Sequence, residues 1–405
     1  MHTLLTPEAV RERCNELWAE AERDELVHFR LHPAALDAVV DEVLAEIRHN
    51  HPDLKVPVHS RWRHFELGGR DWWQTLRDSR DWDGVDAIAR SRFDLAIVSV
   101  LLDAGAGATW RYRDRESGLQ LGRSEGLALA SLRLFESGLL SAAASGDPLR
   151  VDATALCALD STHLARALQC DEHNALLGLP GRCALLNRLG RTLLEQPDWF
   201  VRDGDCRPGH LYDALKSRAR SGRLPAREIL IALLLTLGPI WPNGLVRDGL
   251  ALGDVGIHPG IRRDDPSNAL LPLHKLSQWL SYSLVEPLID SGIVVTDLDA
   301  LTGLAEYRNG GLLIDLGVLE CRDPDALERE HDPSGPLVVE WRALTVAALD
   351  RIAARVRERL AMDETSLPLA SVLQGGTWAA GRRVAAQRRA SGGPPLRLAS
   401  DGTLF

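Results

Sequence analysis

His32–His51 reads HPAALDAVVDEVLAEIRHNH, and its apolar positions decide the fold class. Leu36, Val39, Val40, Val43, Leu44 and Ile47 recur at three- and four-residue steps, the spacing of one helix face. The same pattern repeats outward from this stretch. Upstream, Thr6-Pro7-Glu8 has the form of an N-cap, a first-position proline and an acidic first turn, which predicts a helix to about Glu22. Downstream, SRFDLAIVSVLLDAG (Ser91–Gly105) is apolar almost all round and predicts a central helix. Arg123–Ser141 and Gly181–Gln196 read as amphipathic helices. Leu271–Gly292 predicts a long helix, bent or ended near Pro287. Gly335–Ala361 predicts an extended start followed by a helix of roughly five turns. Val56–Trp73 has no clear period and is dense in aromatic and basic groups. Strands do not alternate with helices, no fixed-period repeat occurs, and no long Ser/Gly/Pro linker cuts the chain. The fold class is therefore mainly α: a single large helical unit with few short strands.

The chain has 405 residues, of which 45% are hydrophobic and 26% charged, enough to bury a large core. Its net charge is −10 and its pI near 5.7, the opposite of a nucleic-acid binder's usual basic balance, so no nucleic-acid partner is expected. The six cysteines are Cys14, Cys157, Cys170, Cys183, Cys206 and Cys321, with no CxxC among them. That scatter argues against a zinc ribbon or disulfide framework and fits a reduced, cytoplasmic chain. The N-terminus lacks the charged and apolar regions of a secretory signal. The longest apolar run, ILIALLLTLGPIW (Ile229–Trp241), is too short to span a bilayer, so a buried helix and no membrane association are expected.

No P-loop, dinucleotide-binding glycine fingerprint, nucleophile elbow or HExxH occurs, and the thirteen histidines are dispersed. No metal and no cofactor are expected. Four stretches are too polar for core. The first is His59-Ser60-Arg61-Trp62-Arg63-His64-Phe65, and the second is Asp103 with Gly105 and Gly107. The third is the stripe Lys275, Gln278, Trp279 and Tyr282, spaced i, i+3, i+4 and i+7 on one helix face. A cation, an amide, an indole and a phenol suit a phosphorylated ligand with flat groups, or else a solvated helix edge. The fourth is LTGLAEYRNGGLLIDLGVLE (Leu301–Glu320). Read as a helix ended by a Gly310-Gly311 turn, it leaves Glu306 one turn from a C-terminus, where the dipole disfavours a carboxylate. Such an acid is either ion-paired with an arginine or a working acid/base.

Several strings together resemble one family. They are VPVHSRWRHFE, SRFDLAIVSVLLDAGAGATWRY, RSEGLALASL, LPLHKLSQWLSYSLVEPL, LTGLAEYRNGGLLIDLGVL, VVEWRALTV and the ending SDGTLF. The family is the Urc/Urg-type uracil catabolism proteins, the fourth component of that pathway, and the resemblance runs from about Val56 to the end. It implies a uracil-degrading route separate from the reductive one. In that route a relative of GTP cyclohydrolase II opens the ring, and ribosylurea or its phosphate is an intermediate. Association with other uracil-pathway enzymes is expected on the same ground. A remoter resemblance covers roughly residues 181–357. That part looks like the queuosine salvage proteins, N-glycosidases with a helical fold reminiscent of DNA glycosylases. In that family an aspartate before Tyr-Arg serves glycosidic hydrolysis and a lysine contacts the 5′-phosphate. The matching residues here are Glu306 and Lys275, with glutamate for aspartate. Asn309-Gly310-Gly311 replaces the salvage family's Pro-Gln.

The resemblances imply one family domain over 1–405. Within it lie N-terminal helices (1–55), a family-specific helical part (56–180), a glycosidase-like part (181–361) and a C-terminal strap (362–405). They imply an N-glycosyl hydrolase acting on a ribosylated, phosphorylated small molecule and releasing urea. Glu306 is the ribose-facing carboxylate, and Asp103 or Asp297 could serve the departing nitrogen. Lys275, Gln278, His274, Trp279, Tyr282, Tyr307, Arg308, Arg342, Arg61 and His64 are the substrate-binding candidates. The alternative is a non-catalytic protein that binds or channels intermediates of the same pathway.

Overall fold

The computed structural model describes residues 1–107, 109–142, 146–241 and 244–399. The SDGTLF ending, Ser400–Phe405, lies outside the described residues. Helices dominate. The longer ones are α1 (Pro7–Glu22), α2 (Leu36–Asn50), α3 (Gly84–Leu101), α4 (Arg123–Glu136), α5 (Leu179–Leu194), α6 (Leu211–Arg218) and α7 (Ala226–Leu237). They continue with α8 (Lys275–Asp290), α9 (Tyr307–Asp315), α10 (Pro336–Leu360) and α11 (Trp378–Arg388). The described strands are short and pair only in twos. Those that matter here are β1 (Phe29–Leu31), β2 (Arg223–Pro225), β3 (Val255–Ile257), β4 (Leu270–Pro272), β5 (Val294–Thr296) and β6 (Leu319–Cys321). β1–β6 and β3–β4 are antiparallel and β2–β5 is parallel. The mainly-α reading holds.

Local chemistry explains most boundaries. Thr6 caps α1 by accepting the Ala9 N–H at 3.2 Å. The six apolar positions of α2 are all buried. Every residue of α3 from Ser91 to Leu101 is buried, as an all-round apolar helix requires. Pro287 lies inside α8 and does not end it. The extended start expected after Gly335 is not found. Helix α10 begins at Pro336, since a first-position proline needs no N–H partner and has a helical φ.

The chain divides into two units. The first comprises residues 1–59, 244–278 and 297–399, and the second 60–243 and 279–296. The boundaries fall after His59 and, within α8, after Gln278.

In the first unit, α1 packs along α10, and α10 also contacts α2 and α9. Arg11 ties α1 both to α10 and to the segment entering α9. Its Nε bonds Asp350 at 2.8 Å, and its other nitrogens reach the carbonyls of Ala300 at 3.2 Å and Leu301 at 2.9 Å. The β3–β4 hairpin lies against α10 so closely that a Cβ at Gly256 would stand 2.7 Å from a Val339 methyl. That hairpin delivers the chain to the start of α8. Glu340, fully buried on α10, accepts the His28 and Phe29 N–H groups at 3.1 and 2.8 Å and meets His258 Nε2 at 3.2 Å.

In the second unit, α3 packs on α4 and on the turn at Pro208–His210. The buried Asp94 carboxylate organises that contact. It accepts the N–H groups of Gly209 at 2.5 Å and Val151 at 3.0 Å, and Arg207 Nε at 2.9 Å.

Candidate functional site

Glu306 is not near a helix C-terminus. Leu301–Ala305 is non-helical, and Glu306, in extended conformation (φ −114°, ψ 163°), is the N-cap of α9. Its Oε1 accepts the Asn309 N–H at 2.6 Å and its Oε2 the Arg308 N–H at 2.7 Å. The helix dipole therefore favours this carboxylate, the reverse of the sequence expectation. The Gly310-Gly311 turn is corrected with it, because both glycines lie inside α9. A Cβ at Gly310 would stand 2.7 Å from the Trp341 indole and 2.8 Å from Thr345 Oγ1. Glycine is needed there for α9 to approach α10, and the Trp341 Nε1–H donates to the Gly310 carbonyl at 3.0 Å. A carboxylate followed by glycines reads as a helix end, but here it starts one.

Burial holds the Glu306 carboxyl above the usual range. The Arg308 and Asn309 N–H groups and the charges of Lys275 and Arg308 pull the other way without cancelling it. The charge of Lys275 thus acts on Glu306 from the first turn of α8. From Leu270 to Gln278 only Lys275 keeps partial exposure, and from Leu301 to Leu313 only Glu306 and Tyr307 do. Two buried segments of the first unit therefore keep partial exposure only at these candidate residues.

The neighbouring side chains hold these two segments. Gln278 and Thr302 bond reciprocally: Gln278 Nε2 donates to Thr302 Oγ1 at 2.8 Å, and the Thr302 N–H donates to Gln278 Oε1 at 3.3 Å. His274 has a left-handed backbone (φ 48°) and is fully buried. Its Nε2 meets the Leu4 carbonyl at 2.9 Å, and burial pushes its pKa down, so the ring is neutral with its proton on Nε2. Arg342 forks onto Asp254 at 2.9 and 2.6 Å, and Asp254 also accepts the Lys275 N–H at 2.9 Å. Burial raises the Asp254 carboxyl, but Arg342 and the Lys275 N–H more than offset that and hold it below its ordinary value. Asp254 thus fixes the backbone that presents Lys275. The sequence reading missed it, since nothing in LGDVGIHPG separates it from a turn aspartate. Arg308 donates to the Gly392 carbonyl at 2.7 Å and lies 5.0 Å from the Tyr307 ring centroid. Asp297 is exposed, with φ 56°. His59, also in this unit, bonds Gln374 at 2.7 Å, and burial lowers its pKa to about 4.

The remaining candidates belong to the second unit. Arg61 is fully buried and pairs with Asp103 at 3.0 Å, and Ser124 donates to Asp103 at 2.8 Å. Arg61 also bonds Ser99 at 2.7 Å, and its guanidinium lies 5.6 Å from the Trp279 centroid. His64 meets Trp279 edge-on at 6.1 Å, and Tyr282 is fully buried. A hollow of about 660 Å³ in the first unit, bounded by Asp53–Pro57, Met362 and Ser366, holds none of the candidate residues. Among the described residues, no group of three or more His, Cys, Asp and Glu could hold a metal ion, and no helix is long and apolar enough to cross a membrane.

These features define a mainly helical protein whose candidate site is a capped carboxylate under the charge of a lysine. The model of a family described as a protein of unknown function, DUF1688, matches residues 3–405. The chain is 39% identical over 416 residues to Protein urg3 of Schizosaccharomyces pombe, covering 99% of this chain and 98% of that one. It is 36% identical over 410 residues to Uracil catabolism protein 4 of Lachancea kluyveri, covering 93% of this chain and 92% of that one. The chain belongs to the DUF1688 family and is of the Urc/Urg type.

Proposed function

We propose that this protein acts in uracil catabolism and hydrolyses the N-glycosidic bond of a ring-opened uracil riboside, ribosylurea or its 5′-phosphate. The pathway is the one named for its Lachancea relative. The observation that carries the reaction is a partly exposed, desolvated Glu306 lying within the field of the Lys275 charge in the first unit. In the proposed step, water adds to C1′ as the C1′–N bond breaks. The electron pair leaves with the urea nitrogen, which takes up a proton, and ribose or its phosphate and urea are released. The transition state is oxocarbenium-like, and an ionised Glu306 stabilises it electrostatically while orienting the water. Lys275, held by Asp254, binds the 5′-phosphate as a point charge. Asp297 is the acid candidate of this unit for the departing nitrogen. Asp103, paired with Arg61 in the second unit, has no part in the step as written.

One observation favours the rival reading, a protein that binds or channels pathway intermediates: both Glu306 oxygens already serve the cap of α9. Incubation of the pure protein with ribosylurea and with its 5′-phosphate, assayed for urea and for ribose, decides between them. Release of both products at a rate that Glu306→Gln abolishes supports hydrolysis. Binding without release supports the rival.

A further inference from the structure

We propose that Asn309 is the specificity residue of this site and accepts a hydrogen bond from the terminal NH₂ of a ureido leaving group. The inference rests on the glycosidase reading and deepens it. Asn309 is the third residue of α9, is 2% exposed, and has its backbone N–H on Glu306 Oε1 at 2.6 Å. Its Nδ2 donates to the Leu304 carbonyl at 3.2 Å. A carbonyl only accepts, so this bond fixes the amide orientation with nitrogen toward Leu304. Oδ1 is then the other end of the amide, and it is buried with no hydrogen-bond partner among the described residues.

A buried, unpaired amide oxygen costs about 1–3 kcal/mol, and such groups are uncommon enough to need an explanation. The Nδ2 bond to Leu304 gives the amide one role in the fold but leaves Oδ1 unused. The cap of α9 is made by the Asn309 backbone and the Glu306 side chain, so an apolar residue at 309 would cap equally well. A ligand that brings a donor supplies the explanation. Asn309 Oδ1 and the remaining lone pairs of Glu306 are acceptors carried by the same helix end. His274, whose Nδ1 is a second buried acceptor with no hydrogen-bond partner among the described residues, immediately precedes Lys275. The group such a surface selects is rich in N–H donors and poor in acceptors along one edge. The ureido group, with N–H bonds on both nitrogens, has such an edge. A pyrimidine ring presenting a carbonyl there is rejected.

The test compares ribosylurea with its analogue in which the terminal NH₂ is replaced by N(CH₃)₂. Wild type, Asn309→Ala and Asn309→Asp are assayed for hydrolysis, and all three are titrated calorimetrically with both compounds. Wild type is expected to favour ribosylurea by at least about 30-fold in kcat/KM, because a site built around a donor rejects the analogue lacking it. Asn309→Ala brings the two within about 3-fold by losing ribosylurea, and Asn309→Asp, which keeps an acceptor, retains the preference. Equal use of both compounds by wild type overturns the inference even if the Ala variant fails to fold. A folded Ala variant that keeps the preference also overturns it. So does one that loses the preference because the dimethyl compound improves, which reports bulk. If wild type hydrolyses neither compound, the glycosidase reading fails and calorimetry alone decides. Ribosylurea bound about 30-fold more tightly than its analogue, through Asn309, upholds the inference, and no binding of ribosylurea overturns it.

Discussion

Replacing Glu306 by Gln separates a cap from a working acid, because the structure sets different magnitudes for the two roles. The two cap bonds, 2.6 Å to Asn309 and 2.7 Å to Arg308, use both carboxylate oxygens. A carboxamide keeps one acceptor and turns a donor toward the other N–H, so about one hydrogen bond is lost. Losing a cap bond costs roughly 1 kcal/mol. Against that, Gln removes a charge that burial disfavours. The net change in unfolding free energy is therefore small, within about 1 kcal/mol by denaturant titration. Loss of a charge aimed at the transition state costs ~10²–10³ in kcat, or about 2.7–4 kcal/mol. The catalytic loss thus exceeds any loss of fold by about 1.7–3 kcal/mol. The assay is urea release from ribosylurea 5′-phosphate at saturating substrate, beside denaturation of the same preparations. A Gln variant that keeps kcat within about 3-fold of wild type makes Glu306 a cap alone and sinks the electrostatic argument. Glu306→Asp should retain a small part of the rate, since reach as well as charge matters.

The pH dependence has a definite sign. Glu306 is held above its ordinary value, so kcat rises with pH through an acid limb lying above about 4.3; a limb unchanged in Glu306→Gln assigns it to another group. Because the native state holds that proton more tightly, the stability contribution of Glu306 is full below about 4.3 and is lost as pH rises through the native value, so Glu306→Gln flattens that segment of the stability curve. Lys275→Ala should raise KM for the phosphorylated substrate far more than for the free riboside, and equal effects mean the lysine does not read phosphate. Gly310→Ala should destabilise by about 1–3 kcal/mol in denaturant titration, because its methyl meets Trp341 at 2.7 Å; a neutral result returns Gly310 to the role of a hinge. Asp254→Ala should cost about 3–5 kcal/mol by leaving Arg342 buried without its fork, and a loss under about 1 kcal/mol refutes its holding role.

Periodic segments were legible because burial and period coincide. The face of α2 and the cap of α1 could be read residue by residue, since each depends on side chains a few positions apart. The α8 stripe was legible as a face, but its members serve different ends. Gln278 pins Thr302, Tyr282 is buried, and only Lys275 retains exposure among Leu270–Gln278. Spacing reveals which residues share a face and not what meets that face.

Leu301–Glu320 shows where local reading stops. Leu301, Leu304 and Arg308 fit a helical face, yet the chain is non-helical through Ala305 because Arg11 and Gln278, both distant in sequence, take up its backbone groups at Leu301 and Thr302. Once those long-range bonds hold Leu301–Ala305 out of a helix, the first residue able to cap α9 is Glu306. The glycines that looked like its end become the contact with Trp341. The same bonds then set the site. A segment fixed from α1 and α8 ends at the carboxylate, and the segment fixed by Asp254 and Arg342 ends at the lysine. The candidate pair, Glu306 and Lys275, is therefore placed by four residues, Arg11, Gln278, Asp254 and Arg342. Their own sequence surroundings do not announce this role, because Arg11, Gln278 and Asp254 act on backbone far along the chain and Arg342 on the Asp254 carboxylate.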